Sequence, residues 1–195
     1  MNKRVALFGG SFNPIHNGHI ALAKAVLEAN LADEVWLMVS PQNPLKQQAD
    51  LCDETTRLFL ARKALKGNEK IKVSDFEFHL PRPSYTWNTL QALHEVYPNV
   101  SFSLLIGGDN WQCFNRWAHC DEILANYSII VYPRVESDVD EQSLPANVTL
   151  LHLPLFPYSS TDVRNMVKRG ECITAYVPST ICNDVVKAYT TDKSV

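Results

Sequence analysis

Apolar residues along this chain gather in six short runs: Arg4 to Phe8 (RVALF), Val35 to Val39 (VWLMV), Ile71 to Val73, Ser101 to Ile106 (SFSLLI), Ser128 to Tyr132 (SIIVY) and Val148 to Leu153. Their length and their β-branched and aromatic content mark them as strands. Several are apolar throughout, the pattern of a sheet covered on both faces. Between the runs, apolar positions recur at helical spacing: Ile20, Ala23 and Leu27; Leu58, Ala61 and Leu65 behind Asp53 as an N-cap; Leu90, Leu93 and Tyr97 behind an SYT stretch. Strands alternating with helices predict an α/β fold with a mainly parallel, doubly wound sheet. Ligands of such a fold bind in the crevice beyond the carboxyl ends of the strands.

Towards the end the pattern turns helical. Thr161 to Arg169 reads as a helix stopped by Gly170, and Pro178 to Tyr189 as another that starts with proline. Together they predict a small C-terminal helical part over about 159–190. Arg134 to Asn147 is polar and acidic without a period, and reads as a surface loop.

Composition narrows the field. A chain of 195 residues, 46% hydrophobic and 20% charged, suits one domain over 1–195 with a sizeable core. No apolar run has the roughly 18 to 20 residues of a membrane span, and no long apolar region follows the basic start, so a cytoplasmic protein without a signal peptide is expected. Five cysteines, odd in number and without a C-x-x-C pair, suit reduced thiols better than disulfides or structural zinc. A formal net charge of -3 gives no general pull towards nucleic acid or anionic lipid, so any phosphate recognition is local and the ligand small.

The candidate chemistry lies in Phe8 to Ile20, FGGSFNPIHNGHI, between the first expected strand and the first helix. That is where a doubly wound fold places its phosphate-binding turn. The stretch matches neither G-x-G-x-x-G nor the Walker pattern. Gly9 and Gly10 let a phosphate approach the main chain, and Ser11 offers a hydroxyl and an N–H. His16 and His19 fall on one side of a helical turn whose positive end adds to their donors, which suits a polyphosphate. Two histidines at this spacing supply only two zinc ligands, and no further cluster completes them. A tight turn with incidental histidines is the plainer alternative.

GGSFNPIHNGH resembles the G-x-F-D-P-x-H-x-G-H signature of the HxGH nucleotidyltransferases, which have a Rossmann-like fold. Ser159 to Arg164 (SSTDVR) is similar to the same family's I-S-S-T-x-I-R motif. Taken by its residues, this second stretch has Ser160 or Thr161 as the cap of a helix whose first-turn N–H groups, with Arg164, can hold phosphate oxygens.

Within that superfamily the chain is similar to the bacterial nicotinate mononucleotide adenylyltransferases from about Val5 to Tyr189. The likeness is carried by Asn43-Pro44-Leu45-Lys46, Asp53 to Ala64 with Arg57, Glu77 to Leu90 with S-Y-T-x-x-T-L, and Gly107 to Leu124 with Gly107, Asp109 and Trp117. The resemblance implies transfer of the adenylyl group of ATP to nicotinate mononucleotide, with release of pyrophosphate. His16, His19 and Arg164 would be catalytic. ATP would meet Gly9, Gly10, Ser11, Phe12, His16, His19, Gly107, Asp109, Ser159, Ser160, Thr161 and Arg164. Nicotinate mononucleotide would meet Lys46, Tyr85, Thr86, Asp109, Trp117 and Arg134. Mg2+ would be held mainly through ATP phosphates, with no metal site on the chain itself.

Physical roles accompany these assignments. Asp109 closes a strand, where it could accept ribose or amide hydrogen bonds or simply cap a helix; Trp117 could stack on a pyridine ring or sit in the core. Tyr85 and Thr86 fall at a helix start able to receive a carboxylate. Lys46 alone would read as a solvated surface lysine. The chain departs from the family pattern at Asn13, at Asn43 to Lys46, at Ala118, and at Arg134, which stands in PRVES rather than R-P-G. Competing readings are another HxGH transferase with phosphopantetheine or a phosphoalcohol as acceptor, a non-catalytic nucleotide sensor and, weakest, a metal hydrolase. The partners expected are two small molecules, with a homo-oligomer left open.

Overall fold

The computed structural model describes residues 2–41, 51–134, 137–154 and 156–190. Its six strands are β1 (Lys3–Gly10), β2 (Glu34–Val39), β3 (Ile71–Ser74), β4 (Val100–Gly107), β5 (Ser128–Tyr132) and β6 (Val148–Leu150). They form one sheet in the order β3-β2-β1-β4-β5-β6, every neighbouring pair parallel. All six expected runs are strands. The last stops at Leu150, three residues short of its expected end.

Strand alternation explains why the runs look apolar throughout. In β1, Ala6 and Phe8 face one buried cluster while Val5 and Leu7 face the other. In β5, Ile130 and Tyr132 join the first cluster, Ile129 and Val131 the second. The inner strands β1 and β5 therefore bury both of their faces, the condition under which period-2 polarity disappears, while the edge strands β3 and β6 expose Lys72 and Thr149.

The first cluster is covered by α1 (Asn17–Glu28), α2 (Glu54–Ala64), α6 (Ser160–Lys168) and α7 (Cys182–Thr190), and the second by α3 (Thr86–Val96), α4 (Gly108–Gln112) and α5 (Cys120–Asn126). Helix ends follow local chemistry. Asp53 caps α2 by accepting from the Thr56 N–H at 2.9 Å, as the sequence predicts. At the end of α6 Gly170 takes φ +71, and the Glu171 and Gly170 N–H groups reach back to Met166 and Val167. That is a Schellman closure, where glycine meets the least steric cost. Periodicity marks neither α4 nor α5, and only the reading of Asp109 as a helix cap points to α4. Both are short, and neither sustains the two or three turns of periodicity needed to stand out.

The strand order reverses between β1 and β4, so their carboxyl ends diverge and open a crevice. Gly9 and Gly10 end β1, and Gly107 ends β4.

Candidate active site

A crevice of about 1110 Å³ lies at this switch point. Of the residues proposed from sequence, Gly9, Gly10, Ser11, Phe12, His16, His19, Tyr85, Thr86, Gly107, Asp109, Trp117, Arg134, Ser159, Ser160, Thr161 and Arg164 all line it. Lys46 lies outside the described residues.

The loop from β1 to α1 is built around two rings. His16 is the N-cap of α1, with an extended backbone at φ −142, and His19 follows on the first turn. The imidazoles stack with centroids 3.7 Å apart. The His16 N–H donates to His19 Nδ1 at 3.2 Å, which makes Nε2 the protonated nitrogen of a neutral His19. Phe8 and Phe12 flank His19 at 5.9 and 5.0 Å between centroids.

The glycines have separate tasks. A Cβ on Gly10 would lie 3.1–3.3 Å from the Phe12 ring, so Gly10 lets that ring fold back against the strand end. A Cβ on Gly18 would come within 3.0 Å of His16 Nδ1, so Gly18 makes room for the imidazole. His16 is buried, and desolvation, aided by the positive charge of Arg134, pushes its pKa down to about 4. Around neutral pH its ring is uncharged.

The second motif docks on this loop. Ser159 caps α6 by accepting from the Asp162 N–H at 3.3 Å, while Asp162 accepts from the Ser159 N–H at 2.7 Å. This is a capping box, and it corrects the expectation that Ser160 or Thr161 is the cap: both lie inside the helix. Ser160 Oγ donates instead to Pro14 O at 3.0 Å, and Arg164 Nη1 to Asn13 O at 2.8 Å. Two segments about 150 residues apart are thus tied at the main chain of Asn13 and Pro14. The start of α6 and the start of α1 both face the crevice, which places two positive helix ends at one mouth.

On the β4 side, Gly107 and Gly108 allow a close crossing. A Cβ on Gly107 would meet Asp109 Oδ1 at 2.3 Å, and one on Gly108 would meet Ser137 Oγ at 2.3 Å. Asp109 is not a helix cap, because the cap of α4 is Gly107; its carboxylate pairs with Arg134 Nε at 3.3 Å. Arg134 also donates to the Tyr132 hydroxyl at 2.8 Å. It is held in the crevice wall despite its departure from R-P-G.

Among the described residues, three buried side-chain nitrogen or oxygen atoms lack a hydrogen-bond partner: His16 Nδ1, Ser84 Oγ and Trp117 Nε1. All three residues line this crevice. Buried polar atoms are rarely left unpaired, and their concentration here marks a surface built for a polar ligand. Tyr85 caps α3 through its backbone alone, so the first N–H groups of that helix open beside them.

Some lining residues escaped sequence reasoning. Ser84 stood inside the quoted S-Y-T element, and its polarity beside a helix start was the available signal. Arg116 adds a cation next to Trp117. Glu77 gave no signal, being one acid in a mixed stretch. It accepts from Thr89 Oγ at 3.0 Å, and burial pushes its carboxyl pKa up.

Among the described residues no group of three or more His, Cys, Asp or Glu side chains could hold a metal ion. No helix there is long and apolar enough to cross a membrane.

A Rossmann-order sheet with this histidine loop and a docked SSTDVR helix defines a nucleotidyltransferase-type fold, and the chain belongs to the cytidylyltransferase-like family, whose family model matches residues 7–166. Two of its curated relatives share one particular name. A probable nicotinate-nucleotide adenylyltransferase from Bacteroides fragilis is 45% identical over 184 residues, covering 94% of this chain and 92% of the relative. A probable nicotinate-nucleotide adenylyltransferase from Bacteroides thetaiotaomicron is 48% identical over 161 residues, covering 83% and 80%. Plasmodium falciparum nicotinic acid mononucleotide adenylyltransferase complexed with NaAD shares the fold at a TM-score of 0.77 and 20% identity, over 95% of both chains.

Proposed function

We propose that this chain transfers the adenylyl group of ATP to nicotinate mononucleotide, giving nicotinate adenine dinucleotide and pyrophosphate, a step of NAD biosynthesis. The observation that carries the reading is the convergence of His16, His19 and the Arg164 helix start on one crevice whose other wall holds Ser84, Trp117 and the start of α3. One end offers imidazoles, a guanidinium and helix N-termini for a triphosphate. The other offers an aromatic face and hydrogen-bond donors for a pyridine carboxylate. Eight curated relatives, 36–48% identical, carry this activity in their names.

In the reaction a phosphate oxygen of the mononucleotide attacks the α-phosphorus of ATP in line. The bond to the bridging oxygen breaks, and pyrophosphate leaves with the electron pair. The nucleophile is already ionised, so no covalent enzyme step is needed; catalysis consists of positioning and charge stabilisation. His16 and His19 donate to α- and β-phosphate oxygens, and Arg164 holds the departing pyrophosphate. Gly9, where a Cβ would meet nothing within 4 Å, leaves the strand end open to the nucleotide. The imidazole and guanidinium groups around the glycine loop suit phosphate oxygens rather than a cation. Mg2+, which neutralises charge on the triphosphate when bound, would therefore be held by ATP oxygens and water.

The test is pyrophosphate release by the purified protein with ATP, Mg2+ and nicotinate mononucleotide together. Release that needs phosphopantetheine, or no acceptor at all, would overturn the proposal.

A further inference from the structure

The C-terminal helix reaches the catalytic loop through one hydroxyl. Tyr189, on the last turn of α7, donates from its hydroxyl to Asn13 Oδ1 at 2.7 Å. Asn13 is buried, and the same Oδ1 accepts the Cys52 N–H at 3.1 Å. Through its main chain Asn13 meets the site, because its carbonyl accepts Arg164 Nη1 at 2.8 Å. The neighbouring Pro14 carbonyl accepts Ser160 Oγ at 3.0 Å. One residue therefore joins α7, the segment before α2, the histidine loop and the α6 arginine. The far end is anchored as well: Lys63 of α2 pairs with Asp184 of α7 at 2.7 Å.

We propose that Tyr189 is a positioning residue for adenylyl transfer, acting through Asn13 to fix the carbonyl on which Arg164 is oriented; this rests on the function proposed above. The Asn13 amide sits between two donors, so its peptide plane is held from the side-chain end. Loss of the Tyr189 hydroxyl leaves the Cys52 N–H on that oxygen but removes the tie to α7, and the loop shifts relative to that helix. The Arg164 guanidinium follows, because two of its nitrogens are held by Asn13 O and by Thr161 Oγ1. A guanidinium aimed at the leaving pyrophosphate matters most in the transition state, and displacement of the order of 1 Å there costs up to about 100-fold. The Tyr189 ring is partly buried against the first core cluster and stays packed in a phenylalanine variant.

The experiment is Tyr189→Phe in the pyrophosphate assay. We expect kcat to fall about 10-fold or more, with KM for ATP and for nicotinate mononucleotide within about twofold of the unmodified chain. In an Arg164→Lys background the same change should cost less than about twofold further, since the two act through one link. A kcat within twofold of the unmodified chain, or full additivity with Arg164→Lys, would overturn the inference. Should Tyr189→Phe lose its melting transition, Asn13→Ser breaks the same link with a short side chain and carries the test with the same outcomes. An unmodified chain that fails to release pyrophosphate overturns the adenylyl-transfer reading itself; an active one with an unaffected variant overturns only the role of Tyr189.

Discussion

His16 and His19 stack at 3.7 Å between ring centroids, 29° from parallel, while the His16 backbone N–H donates to His19 Nδ1. The two imidazoles are thus one rigid unit. Gly18 stands against it, its missing Cβ occupying the place of a 3.0 Å contact with His16 Nδ1.

Gly18→Ala should therefore displace the His16 ring, and His19→Ala should remove a transition-state donor outright. We expect kcat to fall by about 10-fold in the first and by roughly 10² or more in the second, with folded-state spectra unchanged. Steady-state kinetics on both variants checks this. A near-normal kcat in His19→Ala would make the stack structural.

The buried His16 makes stability depend on pH in a definite window. Its pKa falls from 6.5 to about 4 on folding, so the unfolded chain binds the proton first as pH drops. The associated stability is fully present above pH 6.5 and is lost between about 6.5 and 4, up to about 3 kcal/mol. Glu34, lowered from 4.5 to about 2 in its bonds with Lys3, Lys72 and Trp36, loses its contribution only below about pH 4.5. Urea denaturation at a series of pH values should resolve the first window, and His16→Asn should flatten it.

Arg57 is fully buried and meets carbonyls, not carboxylates: Ser11, Ser40, Pro41 and Cys52 each accept from it. It joins the ends of β1 and β2 to the start of α2. Arg57→Met should destabilise the fold by about 3 kcal/mol, because buried carbonyls lose their donor. A denaturation midpoint unchanged in that variant would contradict this account.

Trp117 Nε1 and Ser84 Oγ are buried donors in the crevice wall without partners among the described residues. Trp117→Phe keeps an aromatic face and removes one donor, and Ser84→Ala removes the other. Each should raise KM for nicotinate mononucleotide by roughly 5- to 10-fold and leave KM for ATP nearly unchanged. Equal effects on both substrates would place these atoms elsewhere in the reaction.

Much of this arrangement was legible in the residues. Strand runs such as VWLMV and SIIVY are buried on both faces, so their hydrophobicity alone marked them. The helix starting after Asp53 and the stop at Gly170 follow from local hydrogen bonding that any chain position would show. GGSFNPIHNGH and SSTDVR carried their chemistry in residue types at short spacing. The expected cap of α6, Ser160 or Thr161, lies one or two residues past the true one because SST offers three adjacent hydroxyls, and the packing of Ser160 onto Pro14 leaves Ser159 as the cap.

The sequence by itself determined the six strands, the longer helices, the phosphate-type loop and the family, because these rest on local periodicity and on contiguous motifs. Only the tertiary structure decided that Asn13 is the point where Arg164, Tyr189 and the Cys52 backbone meet, that Gly18 makes room for His16, and that Ser84 and Trp117 hold unpaired donors in one wall. Those relations join residues up to 176 positions apart. They depend on which faces the sheet brings together, and no local pattern encodes that.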